Sequence, residues 1–132
     1  MKEMRGKFAT AINCMYCRTQ IPVNEWLRSE FGVDFVDTIT EPGPDSIVSN
    51  PTHERLDSIK KRLLISVNGH GSRVVALVGH HDCAGNPVSK EKHLQEVQKG
   101  CERLGLWGLP IRIIGIWIGE DWKVERIFDS GK

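Results

Sequence analysis

Cysteine and histidine side chains in two short motifs are the groups in this chain best suited to chemistry. Cys14 and Cys17 form a Cys-x-x-Cys pair near the start, and His80 and Cys83 form a His-x-x-Cys pair in the middle. Thiolate and imidazole are common zinc ligands, and a catalytic zinc site has three protein ligands and a fourth position for water. Cys14, His80 and Cys83 supply such a set, with two sulfurs and one nitrogen. We therefore predict that these three residues bind Zn²⁺.

The segments before these residues predict that the three side chains meet at one edge of a β-sheet. Residues 7–13 form a short apolar run that ends at Cys14, and residues 73–78 form a continuous apolar run that ends two positions before His80. Continuous apolar runs are typical of parallel strands that are covered on both faces. Because ligands bind outside the carboxyl ends of such strands, Cys14, His80 and Cys83 are expected on the same edge.

Helical and strand-like patterns alternate along the rest of the chain. The predicted helices cover residues 21–31, 52–68 and 89–104, the further strands cover 33–39, 111–118 and 122–128, and residues 41–51 are a predicted loop. This order predicts a three-layer α/β fold, in which a mostly parallel sheet is flanked by helices and ends in an antiparallel C-terminal edge strand. Leu94, Val97, Cys101 and Leu104 form the predicted inner stripe of the last helix, so Cys101 is expected in the core.

Composition and charge narrow the class of protein. The chain has 132 residues and a formal net charge of +1, from 18 basic and 17 acidic side chains. This size fits a single domain over residues 1–132. Without a block of like charge, neither nucleic acid nor a membrane surface is an expected partner. No apolar stretch approaches the roughly 20 residues of a membrane-spanning helix, and no signal peptide is recognisable, so a cytoplasmic location is expected.

The chain resembles the β-class carbonic anhydrases. In that family a strand is followed by Cys-x-Asp-x-Arg, and a later apolar strand is followed by Gly-His-x-x-Cys. Here the first motif corresponds to Cys14 and Arg18, and the second corresponds to residues 79–83. Residues 114–127 are similar to the family's late strand, acidic turn and strand, so the resemblance extends over residues 8–127.

The resemblance implies roles for individual residues. Cys14, His80 and Cys83 correspond to the zinc ligands, and Arg18 corresponds to the arginine of the family's Asp-Arg pair. Tyr16 occupies the position of the aspartate. In the family that aspartate accepts a hydrogen bond from zinc-bound water or ligates the metal, whereas an un-ionised tyrosine hydroxyl is not an acceptor-only anion.

The replacement at position 16 leaves several points open. Arg18 lacks its expected partner, for which Asp82 and Asp34 are the candidates. Tyr16 is either a catalytic residue or an aromatic cover over the site. The family also implies a homodimer or a higher homo-oligomer, although relatives have N-terminal helices that have almost no counterpart before the first strand here.

Three functions follow from these residues. The first is a carbonic anhydrase-like enzyme that hydrates carbon dioxide, giving bicarbonate, or hydrolyses a related small molecule through zinc-bound hydroxide. The second is a non-catalytic zinc site closed by Cys17 as a third cysteine ligand. The third is a thiol redox protein that uses Cys14 and Cys17 as its Cys-x-x-Cys. The fourth zinc ligand is accordingly water, Cys17 or an aspartate.

Overall fold

One five-stranded sheet organises the chain. The computed structural model describes residues 6–131. The strands are β1 (Phe8–Cys14), β2 (Phe35–Glu41), β3 (Val74–His80), β4 (Arg112–Ile118) and β5 (Val124–Asp129). The α-helices are α1 (Gln20–Phe31), α2 (Pro44–Val48), α3 (Leu56–Leu64) and α4 (Lys90–Gly105), with a 3₁₀ turn at Cys17–Thr19 and a π-helical turn at Ile65–Gly69.

The order of the strands confirms the predicted fold class. The sheet runs β2-β1-β3-β4-β5, and all neighbouring pairs are parallel except β4 and β5. The central strands are almost completely buried because helices cover both faces. Within residues 6–131, no helix is long and apolar enough to cross a bilayer.

Two apolar clusters hold the helices against the two faces of the sheet. On one face Leu77 packs with Ile59 of α3 and Val97 of α4. On the other face Ala76 and neighbouring strand residues pack with Leu27 of α1. Burial of these apolar side chains stabilises the packing of the helices on the sheet. The strand ends that carry the candidate ligands are therefore held by a packed core on both sides.

The observed helix boundaries depart from the sequence prediction at two places. The region 41–51, predicted as a loop, contains the short helix α2, which Pro44 opens at a position that its fixed φ favours. The helix predicted from residue 52 begins at Leu56 and is extended by the π-helical turn to Gly69. α2 matters for the site because it packs between β3 and α4.

Candidate metal centre

Cys14, His80 and Cys83 lie together at one edge of the sheet. One ligand atom from each lies within 4.8 Å of those of the other two, and the two cysteine sulfurs are 3.9 Å apart. All three side chains are at least 96% buried. The predicted convergence of these residues is therefore observed, and the donor set is two sulfurs and one nitrogen.

Strand register explains why distant parts of the sequence meet here. β1 and β3 are neighbours, and Ile12 lies opposite Leu77. Two residues further along, Cys14 reaches the level of the end of β3, where His80 is the last strand residue. Cys83 returns to the same point through a turn, in which Asp82 adopts a left-handed conformation with φ of 55°.

Hydrogen bonds fix the backbone on both sides of the site. The Asn13 side chain accepts a hydrogen bond from the Cys14 N–H at 2.8 Å and donates to the Thr19 carbonyl at 3.3 Å. The His81 N–H donates to the Ile118 carbonyl at 2.9 Å, which ties the His80–Cys83 turn to β4. The ligand-bearing turns are thus anchored to the sheet by these hydrogen bonds.

The orientation of His80 identifies its free nitrogen. Its Nδ1 lies 2.6 Å from the His81 carbonyl oxygen, so Nδ1 carries the proton and donates. Its Nε2 is buried and has no hydrogen-bond partner among the described residues. Metal-binding histidines characteristically donate their other N–H to a carbonyl or carboxylate. A buried nitrogen lone pair beside two sulfurs fits a zinc ion.

The contact between the two thiols shifts their pKa values in opposite directions. A hydrogen bond from the Cys83 thiol lowers the pKa of Cys14 to about 3, while the same hydrogen bond raises the pKa of Cys83 above its usual range. Two thiolates 3.9 Å apart repel each other strongly when buried. A divalent cation would remove this repulsion and allow both sulfurs to ionise.

Nearby backbone groups support the charged sulfurs. The backbone N–H groups of Gly43 and Tyr16 act to lower the pKa of Cys14, and those of Gly85 and Asn86 act to lower the pKa of Cys83. Gly85 cannot be replaced without movement, since a Cβ there would lie 2.7 Å from the Pro42 side chain. The loops before α2 and after Cys83 therefore pack tightly around the two sulfurs.

The charge of Cys14 also affects the imidazole. Burial by itself lowers the pKa of His80, but the nearby sulfur of Cys14 and the negative charge on it outweigh burial and raise it. An anionic sulfur beside an imidazole is an electrostatic environment that favours a cation. The negative charge on the Cys14 sulfur therefore attracts cations to the site.

Tyr16 and Arg18 take part in an aromatic stack beside the site. The Tyr16 ring stacks on the His80 ring, with centroids 5.5 Å apart and an interplanar angle of 12°. The Arg18 guanidinium lies 5.4 Å from the ring centroid of Trp122, which also contacts Tyr16 at 6.1 Å. The position of the family's Asp-Arg pair is thus occupied by stacked rings and a cation.

Neither expected aspartate is paired with Arg18. Asp34 accepts a hydrogen bond from the Lys7 backbone N–H, before the start of β1 and at the opposite end of the sheet from the site. Asp82 lies in the turn after His80, but no carboxylate within residues 6–131 forms an ion pair with Arg18. Neither candidate therefore pairs with Arg18 in this structure, and the Trp122 ring is the observed partner.

The remaining cysteines lie apart from the cluster. Cys17 is exposed in the 3₁₀ turn and is not part of the group formed by Cys14, His80 and Cys83. Cys101 is 1% exposed, and burial raises its pKa to about 12, so its predicted place in the core is confirmed. All four cysteines are free thiols.

Sequence reasoning missed three residues near the centre. Trp122 has φ of 60°, which is unusual for a bulky side chain and is invisible in a strand-like pattern. Asp45 lies in a segment predicted as loop, and it forms a buried pair with His93. His93 precedes Val97 by four positions, so helical periodicity could have placed it on the inner face.

The residues buried on α4 differ at one position from those predicted. Leu94, expected in the core, is only partly buried, whereas His93 is 1% exposed. The buried face of α4 thus includes His93, which was not considered as a core residue and which contacts α2 through Asp45.

Comparisons with known proteins agree with this geometry. Residues 4–128 match the family described as putative carbonic anhydrase. The fold is similar to β-carbonic anhydrase isoform I from Trichomonas vaginalis, with a TM-score of 0.66, 15% identity, and coverage of 92% of this chain and 82% of that chain. No curated protein gives a significant sequence match.

Two further solved structures have the same fold. A carbonic anhydrase from Glaciozyma antarctica has a TM-score of 0.62 at 16% identity, with coverage of 91% of this chain and 81% of that one. One of two tetrameric β-carbonic anhydrases from Sordaria macrospora has a TM-score of 0.59 at 13% identity, with coverage of 96% and 81%. Identities this low establish a shared fold, while the family match covers nearly the whole sequence. The chain is a divergent member of the putative carbonic anhydrase family, with a β-carbonic anhydrase fold.

Proposed function

We propose that this chain is a zinc-binding, carbonic anhydrase-like enzyme that hydrates carbon dioxide or a closely related small molecule. Cys14 Sγ, Cys83 Sγ and His80 Nε2 would hold the ion. The observation that carries the proposal is the buried, unpartnered Nε2 of His80 beside two sulfurs that are 3.9 Å apart. An unpaired buried polar atom costs about 1–3 kcal/mol, and a metal bond would remove that cost.

The donor set favours zinc over harder ions. Magnesium and calcium prefer oxygen ligands, whereas thiolate with imidazole is typical of zinc. Two thiolates balance the charge of a divalent ion and leave the imidazole neutral. When bound with an open position, zinc activates water as a nucleophile near neutral pH.

The chain's own residues would shape the approach to this ion. The Tyr16 ring covers the His80 ring and limits its rotation. Arg18 is an exposed cation held on Trp122 at the same side, where it would attract bicarbonate and other small anions. The absence of an aspartate at position 16 removes a fixed acceptor for a water proton, so we expect slower turnover than a site with that carboxylate would give.

The position of Cys17 argues against the closed four-ligand site. Its side chain is exposed and lies outside the ligand group, so binding it would require the 3₁₀ turn to rearrange. X-ray absorption on the zinc-loaded protein distinguishes the two arrangements. We expect two sulfur neighbours per zinc, whereas three would support the closed site.

A matched pair of cysteine variants tests the activity. Zinc-loaded protein should accelerate carbon dioxide hydration in a stopped-flow indicator assay, or sulfide release from carbonyl sulfide. Cys83→Ser should abolish the acceleration and bound zinc, while the exposed Cys17→Ser should retain both. Stoichiometric zinc with no rate above background on either substrate would refute the enzymatic proposal.

We also propose that the chain assembles as a homodimer or a higher homo-oligomer. Met15 and Ile21 are 64% and 68% exposed on either side of the turn that follows Cys14, and covering apolar side chains beside the site would stabilise an assembly. A solved relative with the same fold is tetrameric. Light scattering on the purified chain should give at least twice the monomer mass, and a monomer at micromolar concentration would contradict this.

A further inference from the structure

A buried carboxylate links α2 to α4 beside the candidate metal centre. Asp45 of α2 and His93 of α4 are each 1% exposed, and His93 Nδ1 lies 2.5 Å from Asp45 Oδ2. Because a carboxylate accepts hydrogen bonds, Nδ1 carries the proton and donates. The other oxygen of Asp45 accepts from the Asn86 amide at 3.2 Å and from the Ser46 backbone N–H at 3.1 Å. Three donors therefore hold the Asp45 side chain in one orientation.

Asp45 contacts the residue that precedes His80. A Cβ added to Gly79 would lie 3.1 Å from Asp45 Oδ2 and 2.9 Å from the Val97 side chain, so the backbone of β3 packs directly against the carboxylate. The negative charge on Asp45 also acts to raise the pKa of His80. Movement of Asp45 would therefore change the packing at the end of β3, where His80 lies.

Asn86 connects Asp45 to the turn that carries Cys83. The Asn86 amide donates to Asp45 at 3.2 Å and to Glu96 of α4 at 2.7 Å. Its backbone N–H donates to the Cys83 carbonyl at 3.3 Å and acts to lower the pKa of the Cys83 thiol. Asn86 is 7% exposed. The segment that follows Cys83 is thus held by a buried side chain that Asp45 binds.

The start of α2 connects Asp45 to Cys14. Gly43 is the N-cap of α2, two residues before Asp45, and has φ of 62°. Its backbone N–H acts to lower the pKa of Cys14. A Cβ added to Gly43 would lie 2.6 Å from Asn86 Cβ, so the start of α2 and the turn after Cys83 are in direct contact. Asp45 thus contacts, or belongs to, a segment next to each of the three candidate ligands.

We propose that Asp45 and His93 are positioning residues for the candidate metal centre. Their hydrogen bond holds α2 against α4, and through α2 it fixes the three segments that carry the ligands. Neither side chain would bind the ion. This inference rests on the proposed metal binding and not on turnover, since a chain that binds zinc without hydrating carbon dioxide would need the same pair.

Cobalt affinity of the full-length, reduced chain tests this role, measured by competition with a chromogenic chelator well below Tm. Asp45→Ala should weaken the binding of one Co²⁺ by about 10-fold or more, as is typical for groups that support metal ligands. Leu104→Ala is the control, because it opens a cavity in the core at the other end of α4. It should bind cobalt as the wild-type chain does. Equal losses of affinity in the two variants would indicate general destabilisation and overturn the proposal.

Two substitutions of His93 separate the hydrogen bond from the packing of the ring. His93→Asn can keep an N–H donor near the position of Nδ1, whereas His93→Leu has no donor. We expect His93→Asn to bind cobalt more tightly than His93→Leu does. Equal affinity in the two variants would mean that the hydrogen bond to Asp45 does not position the ligands.

Alkylation of the metal-free, folded chain gives a measurement that needs no ion. Cys14 and Cys83 should be modified faster in Asp45→Ala than in the wild-type chain, because the loops around them are no longer held, while Cys101 should stay unreactive. Peptide mass mapping that finds unchanged rates at both thiols would contradict the role. If Asp45→Ala does not fold, the same comparison between His93→Asn and His93→Leu decides the question.

These measurements also separate the positioning role from the proposed enzymatic activity. Tight cobalt binding by the wild-type chain without carbon dioxide hydration would refute the activity and leave the positioning role intact. Hydration by the wild-type chain, together with unchanged cobalt affinity in Asp45→Ala, would refute the positioning role alone. A wild-type chain that binds no cobalt would overturn both.

Discussion

The buried Asp45–His93 pair makes a prediction about stability that can be worked out from its contacts. His93→Leu preserves side-chain bulk but leaves the Asp45 carboxylate buried, with only the Asn86 amide and the Ser46 N–H as donors. Removing one partner of a buried charge, here the carboxylate, costs about 3–5 kcal/mol. Asp45→Ala should cost less, about 1–3 kcal/mol, because the imidazole then loses a single acceptor.

The double variant measures the interaction itself. Asp45→Ala with His93→Leu leaves no buried charge, so its loss of stability should fall short of the sum of the two single losses by about 1–3 kcal/mol. Urea denaturation with a chelator present gives these values without a contribution from bound metal. With a slope of about 2 kcal/mol per molar urea, His93→Leu should lower the midpoint by roughly 1.5–2.5 M.

A second histidine–aspartate pair in the chain provides the matched control. His70 Nδ1 lies 2.6 Å from Asp37 Oδ2, but these side chains are 42% and 28% exposed. His70→Leu should therefore cost less than about 1 kcal/mol. If His93→Leu destabilises the protein as little as His70→Leu does, burial does not strengthen the Asp45–His93 interaction. If the losses of stability in Asp45→Ala and His93→Leu are additive, the two side chains do not stabilise each other. Either result would refute the reasoning.

Three further predictions concern the thiols and the cover of the site. In native, zinc-loaded protein an alkylating reagent should modify Cys17 and spare Cys101, whose burial raises its pKa to about 12; peptide mass mapping that finds Cys101 modified first would contradict the fold. Chelation of the metal should make Cys14 and Cys83 reactive and should lower Tm. A free ion at 1,000 times its dissociation constant stabilises the folded protein by about 4 kcal/mol, and chelation removes this contribution. An unchanged Tm would mean that no ion binds there. Tyr16→Ala, which removes the ring stacked on His80, should speed zinc release to a chromogenic chelator, whereas Tyr16→Phe should not; equal rates in both variants would show that the ring does not cover the ion.

Much of the architecture was predictable from the sequence because local patterns reflect burial. The continuous apolar runs that became β1, β3 and β4 predicted parallel strands covered on both faces, and the sheet has that form. Since the carboxyl ends of parallel strands share one edge, the convergence of Cys14, His80 and Cys83 followed from the same patterns and is observed. What these three residues bind stays a prediction.

Contacts between elements were decided only by the tertiary structure. Asp45 and His93 are separated by 48 positions in the sequence, and they pair because α2 packs against α4. Trp122 reaches Arg18 because its backbone takes a left-handed conformation, which residue type alone disfavours. Periodicity reports which face of one element is buried, but it contains no information on which side chain of another element lies against it. The sequence by itself therefore determined the sheet and the residues at its edge, and packing determined the aromatic cover and the second histidine beside them.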